Sequence, residues 1–131
     1  MKVRLVAMMA IVLLAGAALT EAHHSRAEFD LTKEVTFVGT VKRIAWTNPH
    51  TYIHVEVTDG EGRGTEWAVE FGAIGQLLRA GWTPQTLKPG DKVKVVGNPA
   101  KDPAGRTFFQ RSVFGYTSAG EEVRLPIKAA P

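Results

Sequence analysis

The chain has 131 residues, no cysteine, 16 basic and 13 acidic residues, and a formal net charge of +3. The missing cysteines exclude disulfides, thiol catalysis, Cys-based zinc sites and a lipid-anchored lipoprotein. The near-balanced, interspersed charges describe a solvated surface rather than a nucleic-acid footprint. With 44% hydrophobic residues, three Trp and six Phe, one small domain can rest on an apolar core alone.

The chain opens with Lys2 and Arg4, followed by an apolar run from Leu5 to Leu19 broken by a single glycine, and then Thr20-Glu21-Ala22. A basic start, an apolar stretch and a small residue before the cut are the marks of a Sec-type signal peptide over residues 1–22. The run is shorter than the roughly 20 residues of a comfortable membrane span, so no stable span is expected once the leader is removed. Cleavage after Ala22 leaves 109 residues that begin at His23. Setting aside Lys2, Arg4 and Glu21, the mature chain keeps 14 basic and 12 acidic residues.

Residues 23–34 read as a polar, extended N-terminal arm with one aromatic, Phe29. Val35 to Trp46 alternates, with Val35, Phe37, Gly39 and Val41 on one face and Ile44 and Trp46 out of phase. A phase slip beside an internal glycine predicts a bulged, coiled strand. Thr47-Asn48-Pro49 is a turn. His50 to Thr58 alternates cleanly, with Ile53, Val55 and Val57 inward and Tyr52, His54 and Glu56 outward. After the Asp59–Gly64 loop, Thr65 to Phe71 places Trp67, Val69 and Phe71 inward and Glu66, Ala68 and Glu70 outward.

Gly72 to Ala80 then changes period. Ile74, Leu77 and Leu78 share a helical face, and Gly81 is the stop. Lys88-Pro89-Gly90-Asp91 is a turn into a strand at Lys92–Gly97, Arg106–Tyr116 is the fifth strand, and Glu122–Leu125 a short sixth. The order of three strands, a short helix and two strands predicts an all-β, OB-like five-stranded antiparallel barrel over residues 35–125. A frayed tail follows at 126–131. An open antiparallel sheet with one helix is the competing architecture.

Several motifs carry a resemblance. His23-His24-Ser25 with Glu28-Phe29-Asp30, then Trp46-Thr47-Asn48-Pro49-His50, Gly81-Trp82, Leu87-Lys88-Pro89-Gly90-Asp91 and Gly97-Asn98-Pro99-Ala100-Lys101-Asp102 together resemble the DUF6152 family of small exported bacterial proteins of unknown function. The resemblance spans the mature chain. It implies a periplasmic, Gram-negative setting and no assigned activity. Arg26 and Ala27 stand where related sequences often carry Phe-Ala.

The four histidines are His23, His24, His50 and His54. In a mature chain that starts at His23, the α-amine and ring Nδ1 can chelate one metal ion, with His24 or His50 as a third nitrogen. Amine and imidazole ligands suit copper(II), and an α-amine titrating near ~8 is readily deprotonated. The plain alternative is a solvated pair at the cleavage site. A cut after Glu21 would put His23 second and His24 third, which still binds copper or nickel. A cut after Ala18 would not. His50 can equally be turn architecture beside Asn48. His54 lies roughly 13 Å along the strand from His50, so the two cannot share one ion.

Trp46, Asn48, Tyr52 and Trp82 are candidates for a ligand face, while Trp67 is expected in the core. No Ser or Cys nucleophile motif, zinc-protease helix or phosphate loop is present. The expected function is a non-enzymatic periplasmic binding module, with copper as the candidate cofactor. The alternative is an adaptor for a periplasmic protein or small ligand, with a hydrolase third and nucleic acid not expected.

Overall fold

A computed structural model describes residues 26–126. The expected signal peptide, His23 and His24 lie outside the described residues, as does the end of the tail. Six strands and one helix follow in chain order: β1 (Val35–Ala45), β2 (Tyr52–Thr58), β3 (Gly64–Glu70), α1 (Ile74–Arg79), β4 (Lys92–Pro99), β5 (Thr107–Tyr116) and β6 (Glu122–Arg124). The sheet order is β3-β2-β1-β4-β5-β6, and a further pairing joins β3 to β5. That last pairing is parallel. It closes β1 to β5 into a five-stranded barrel with α1 between β3 and β4, which is the OB architecture.

β1 makes closure possible because it serves two neighbours. Its first half pairs with β4 from Val35↔Gly97 to Thr40↔Lys92. Its second half pairs with β2, with a register shift between Val41 and Arg43. This bulge is the phase slip visible in the sequence, and it turns the strand from one side of the barrel to the other. Gly39 stands at the crossing. A Cβ there would lie 2.5 Å from the Glu56 carbonyl oxygen and 2.6 Å from Val55 Cγ1, so only glycine lets the two strands approach.

The inward residues of β2 to β5, including Ile53, Val55, Val69, Val93, Val95 and Val113, are buried and form one apolar cluster. Burial removes apolar surface from water at about 25 cal/mol per Å². α1 adds Leu77 to this cluster and ends in a Schellman motif. Gly81 takes φ +94°, its N–H donates to Leu78 and the Trp82 N–H donates to Leu77. The motif throws Trp82 back into the core, where it is 3% exposed and packs on Phe71 at 5.3 Å between ring centroids. Its Nε1–H donates to the Pro126 carbonyl at 2.6 Å, which ties down the start of the tail.

The arm is stitched to the barrel rather than merely extended. Phe29 is buried, bridges to Ala100 and packs on Phe109 at 5.7 Å. The Asp30 N–H donates to Pro99 and the Lys101 N–H donates to Glu28, at 2.9 and 2.8 Å. Asn98 Nδ2 donates to the Lys33 carbonyl. The motifs Glu28-Phe29-Asp30 and Asn98-Pro99-Ala100-Lys101, far apart in sequence, therefore meet as one clip. Among the described residues no helix is long and apolar enough to cross a membrane.

Candidate functional site

The β1–β2 loop, Trp46 to Thr51, is held by its own short polar side chains and by α1. Thr47 Oγ1 donates to the His50 carbonyl at 2.9 Å, and Thr51 Oγ1 donates to the Thr47 carbonyl at 3.4 Å. The Asn48–Pro49 peptide is cis. Asn48 Oδ1 accepts from the Ile74 N–H at 3.0 Å. It thus caps α1 from 26 residues away, where the residue at the cap position, Ala73, has no side-chain oxygen to do so. Gln76 Oε1 accepts from the Ala73 N–H and completes the cap. Two backbone hydrogen bonds, Thr51 N–H to Gly72 and Phe71 N–H to Thr51, fasten the loop to the end of β3.

This anchoring puts the His50 ring over β3. Nδ1 lies 3.3 Å from the Phe71 carbonyl and 3.1 Å from Glu70 Oε1. The contact to Oε1 is close without being aligned as a hydrogen bond, and Oε1 has no other donor. Both neighbours of Nδ1 can accept, so in the neutral ring the geometry favours the proton on Nδ1 and the lone pair on Nε2. Tyr52, directly across the strand pair from Glu70, donates its hydroxyl to Oε2 at 3.1 Å.

Glu70 is 5% exposed. Strand alternation places it outward among solvated carboxylates, and that expectation fails because the β1–β2 loop folds over this end of β3. Burial pushes its carboxyl above the ordinary value, partly opposed by His50 and by the Tyr52 hydroxyl, while Glu28 of the arm adds to the rise. The Tyr52 hydroxyl is pushed up to about 12, first by burial and then by the charge of Glu70. A buried carboxylate, an imidazole and a phenol thus converge where the arm passes.

His54 belongs to a separate cluster. Its Nδ1 is 2.9 Å from Glu66 Oε1 and 3.0 Å from the Arg43 guanidinium. A fixed cation beside it opposes a metal ion. Among the described residues no three His, Asp or Glu side chains gather as a metal site, so His50 would need ligands from outside them.

The expected aromatic face does not assemble. Trp82 is buried in the core, the Asn48 side-chain oxygen is spent on α1, and Trp46 is half-buried against the core cluster. Of the four, Tyr52 alone reaches the cluster at Glu70. Trp67, expected inside, is half-buried, stacked near Phe37 and edge-on to Phe108, with the Arg106 guanidinium 4.9 Å from its ring. The outer face of β2 and β3, which OB barrels use for oligonucleotides and sugars, is neutralised in pairs. Lys42 meets Glu56 at 3.0 Å and Arg43 meets Glu66 at 3.2 Å.

The profile of DUF6152, described as a family of unknown function, matches residues 10–108. The chain belongs to the DUF6152 family. No curated protein is similar enough to count as a relative of this family member. Among solved structures, a chain of the S. pombe Stn1–Ten1 complex is 18% identical, with a TM-score of 0.46 over 69% of this chain. That match spans little more than half, 57%, of the S. pombe chain. The S. cerevisiae mitochondrial single-stranded DNA binding protein Rim1 is 10% identical, with a TM-score of 0.47 over 71% of this chain and 96% of its own. The OB assignment for this DUF6152 member stands on its strand order and on the parallel β3–β5 closure.

Proposed function

We propose that the mature chain is an exported, periplasmic, non-enzymatic binding module that holds a copper ion between its N-terminal histidine and His50. The observation that carries this reading is the environment of the His50 ring. Its Nδ1 faces Glu70 and the Phe71 carbonyl, which leaves Nε2 as the ligating nitrogen. Histidines that bind metals are held in this way, with the second ring nitrogen on a carboxylate or a backbone carbonyl. The α-amine and ring of His23 would supply two further nitrogens, a set that suits copper(II). Glu70 and Glu28 add negative charge near the place where a cation would sit. The adaptor reading loses support because Trp82 and Asn48 are occupied within the fold.

The test is a copper(II) titration of the untagged chain starting at His23, after intact mass has fixed that start. His50→Ala and a chain with one extra residue before His23 should each bind more weakly. Glu70→Gln, which removes the carboxylate behind the ring, should weaken binding by about 10–100-fold. Unchanged affinity in all three would refute the site.

A further inference from the structure

We propose that the outer face of β4, β5 and β6 is a docking surface for anionic phospholipid headgroups. The strand register lays out this face in rows. One row runs Val38, Lys94, Phe114, Arg124 across β1, β4, β5 and β6. Beside it Thr40 pairs with Lys92, and Tyr116 with Glu122. Among the described residues of these rows, Lys92, Lys94 and Arg124 therefore share the face with one acid, Glu122, which is paired with Lys94. The β2–β3 face differs, since its Glu56 and Glu66 are each paired with a cation of β1, Lys42 and Arg43.

The aromatic rings decide which polyanion fits. Lys94 lies 4.3 Å from the Phe114 centroid, Arg124 6.0 Å from the same ring, and Lys92 5.4 Å from the Tyr116 centroid. A cation over a ring competes with a nucleobase for that face, and base stacking supplies much of single-strand binding. What the face offers instead is cationic heads, ring edges and Val38, which is 42% exposed. The charged heads lie over the rings and Lys92 and Arg124 are exposed, an arrangement open to an anionic headgroup. Near an anionic leaflet each cation is worth about fivefold in partitioning. Three cations less one acid give about 25-fold.

Co-sedimentation of the mature chain with vesicles tests this. Vesicles of phosphatidylglycerol and phosphatidylcholine should bind it about 25-fold better than phosphatidylcholine alone, and the preference should vanish in high salt. The double variant Lys92→Gln/Arg124→Gln spares the Lys94–Glu122 pair and should fall to the level of neutral vesicles. Glu122→Gln should raise binding about fivefold, a gain that misfolding cannot mimic. Equal partitioning into both vesicle types overturns the proposal. So do a double variant that binds like the parent and a preference for a single-stranded oligonucleotide over anionic vesicles.

Discussion

Replacing Asn48 with alanine removes the acceptor that closes the first turn of α1. The helix is only six residues long, too short to persist without tertiary help, and its Ile74 N–H is satisfied by Asn48 Oδ1 at 3.0 Å. Loss of a capping side chain costs about 1 kcal/mol, with a range of roughly 0.5–2 kcal/mol. For a domain of about 100 residues, 1 kcal/mol lowers Tm by about 4–8 °C. Thermal unfolding followed by circular dichroism reads this directly. Asn48→Asp keeps an oxygen in place and should recover most of the loss. Gln76→Ala removes the other half of the cap, so the two single changes should couple by at least about 0.5 kcal/mol in a double-mutant cycle. If Asn48→Ala unfolds within a degree or so of the parent, or if Asp is as harmful as Ala, Asn48 does not cap α1.

Two further predictions concern buried groups. Trp82→Phe keeps the ring against Phe71 but deletes the Nε1–H that serves Pro126, and chemical denaturation should show a loss of about 1 kcal/mol. Trp82→Ala should cost about 3–5 kcal/mol. Glu70→Gln tests the buried carboxyl. Because the folded state raises the proton affinity of Glu70, its contribution favours the parent in acid and is lost as pH rises through the raised value. The variant should therefore gain stability relative to the parent across that rise and hold the gain above it. In the same variant, phenol absorbance should place the Tyr52 titration below its value of about 12, since the charge of Glu70 no longer opposes ionisation. A parallel pH profile for both proteins, or an unmoved phenol, would refute the coupling.

The barrel was legible in the chain because its information is local. Alternation over Ile53, Val55 and Val57 marks β2, the phase slip between Val41 and Ile44 marks the bend, and Gly81 marks the end of α1. The site was legible only in part, because its contacts are long-range. Glu70 looks solvated on strand alternation, and nothing nearby in sequence announces that the Trp46–Thr51 loop will cover it. Asn48 reads as a turn residue in the Asn-Pro-His motif, while its partner, the Ile74 N–H, lies 26 residues on. Phe29 reads as a lone aromatic in a polar arm until Ala100 and Phe109 are placed beside it. Trp82 could have been assigned from its place directly after the Gly81 stop, since a Schellman ending carries an apolar residue there.

The parallel joint between β3 and β5 has a mechanical consequence. It is built from three residue pairs, Ala68↔Thr107, Val69↔Phe108 and Glu70↔Phe109, whereas β2 and β3 share seven. It also joins segments almost forty residues apart, so in folding it forms against the largest loop-closure entropy of any strand pair made with β3. The cylinder therefore has a seam. Uncurling along it would leave the β3-β2-β1-β4-β5 sheet intact, and with it the contacts of Glu70 to His50 and Tyr52, which lie within the β2–β3 pair and its loop. Glu70 belongs to both the His50 cluster and the seam, so opening the barrel would strip its backbone of the Phe109 pairing while its side-chain partners stay in place.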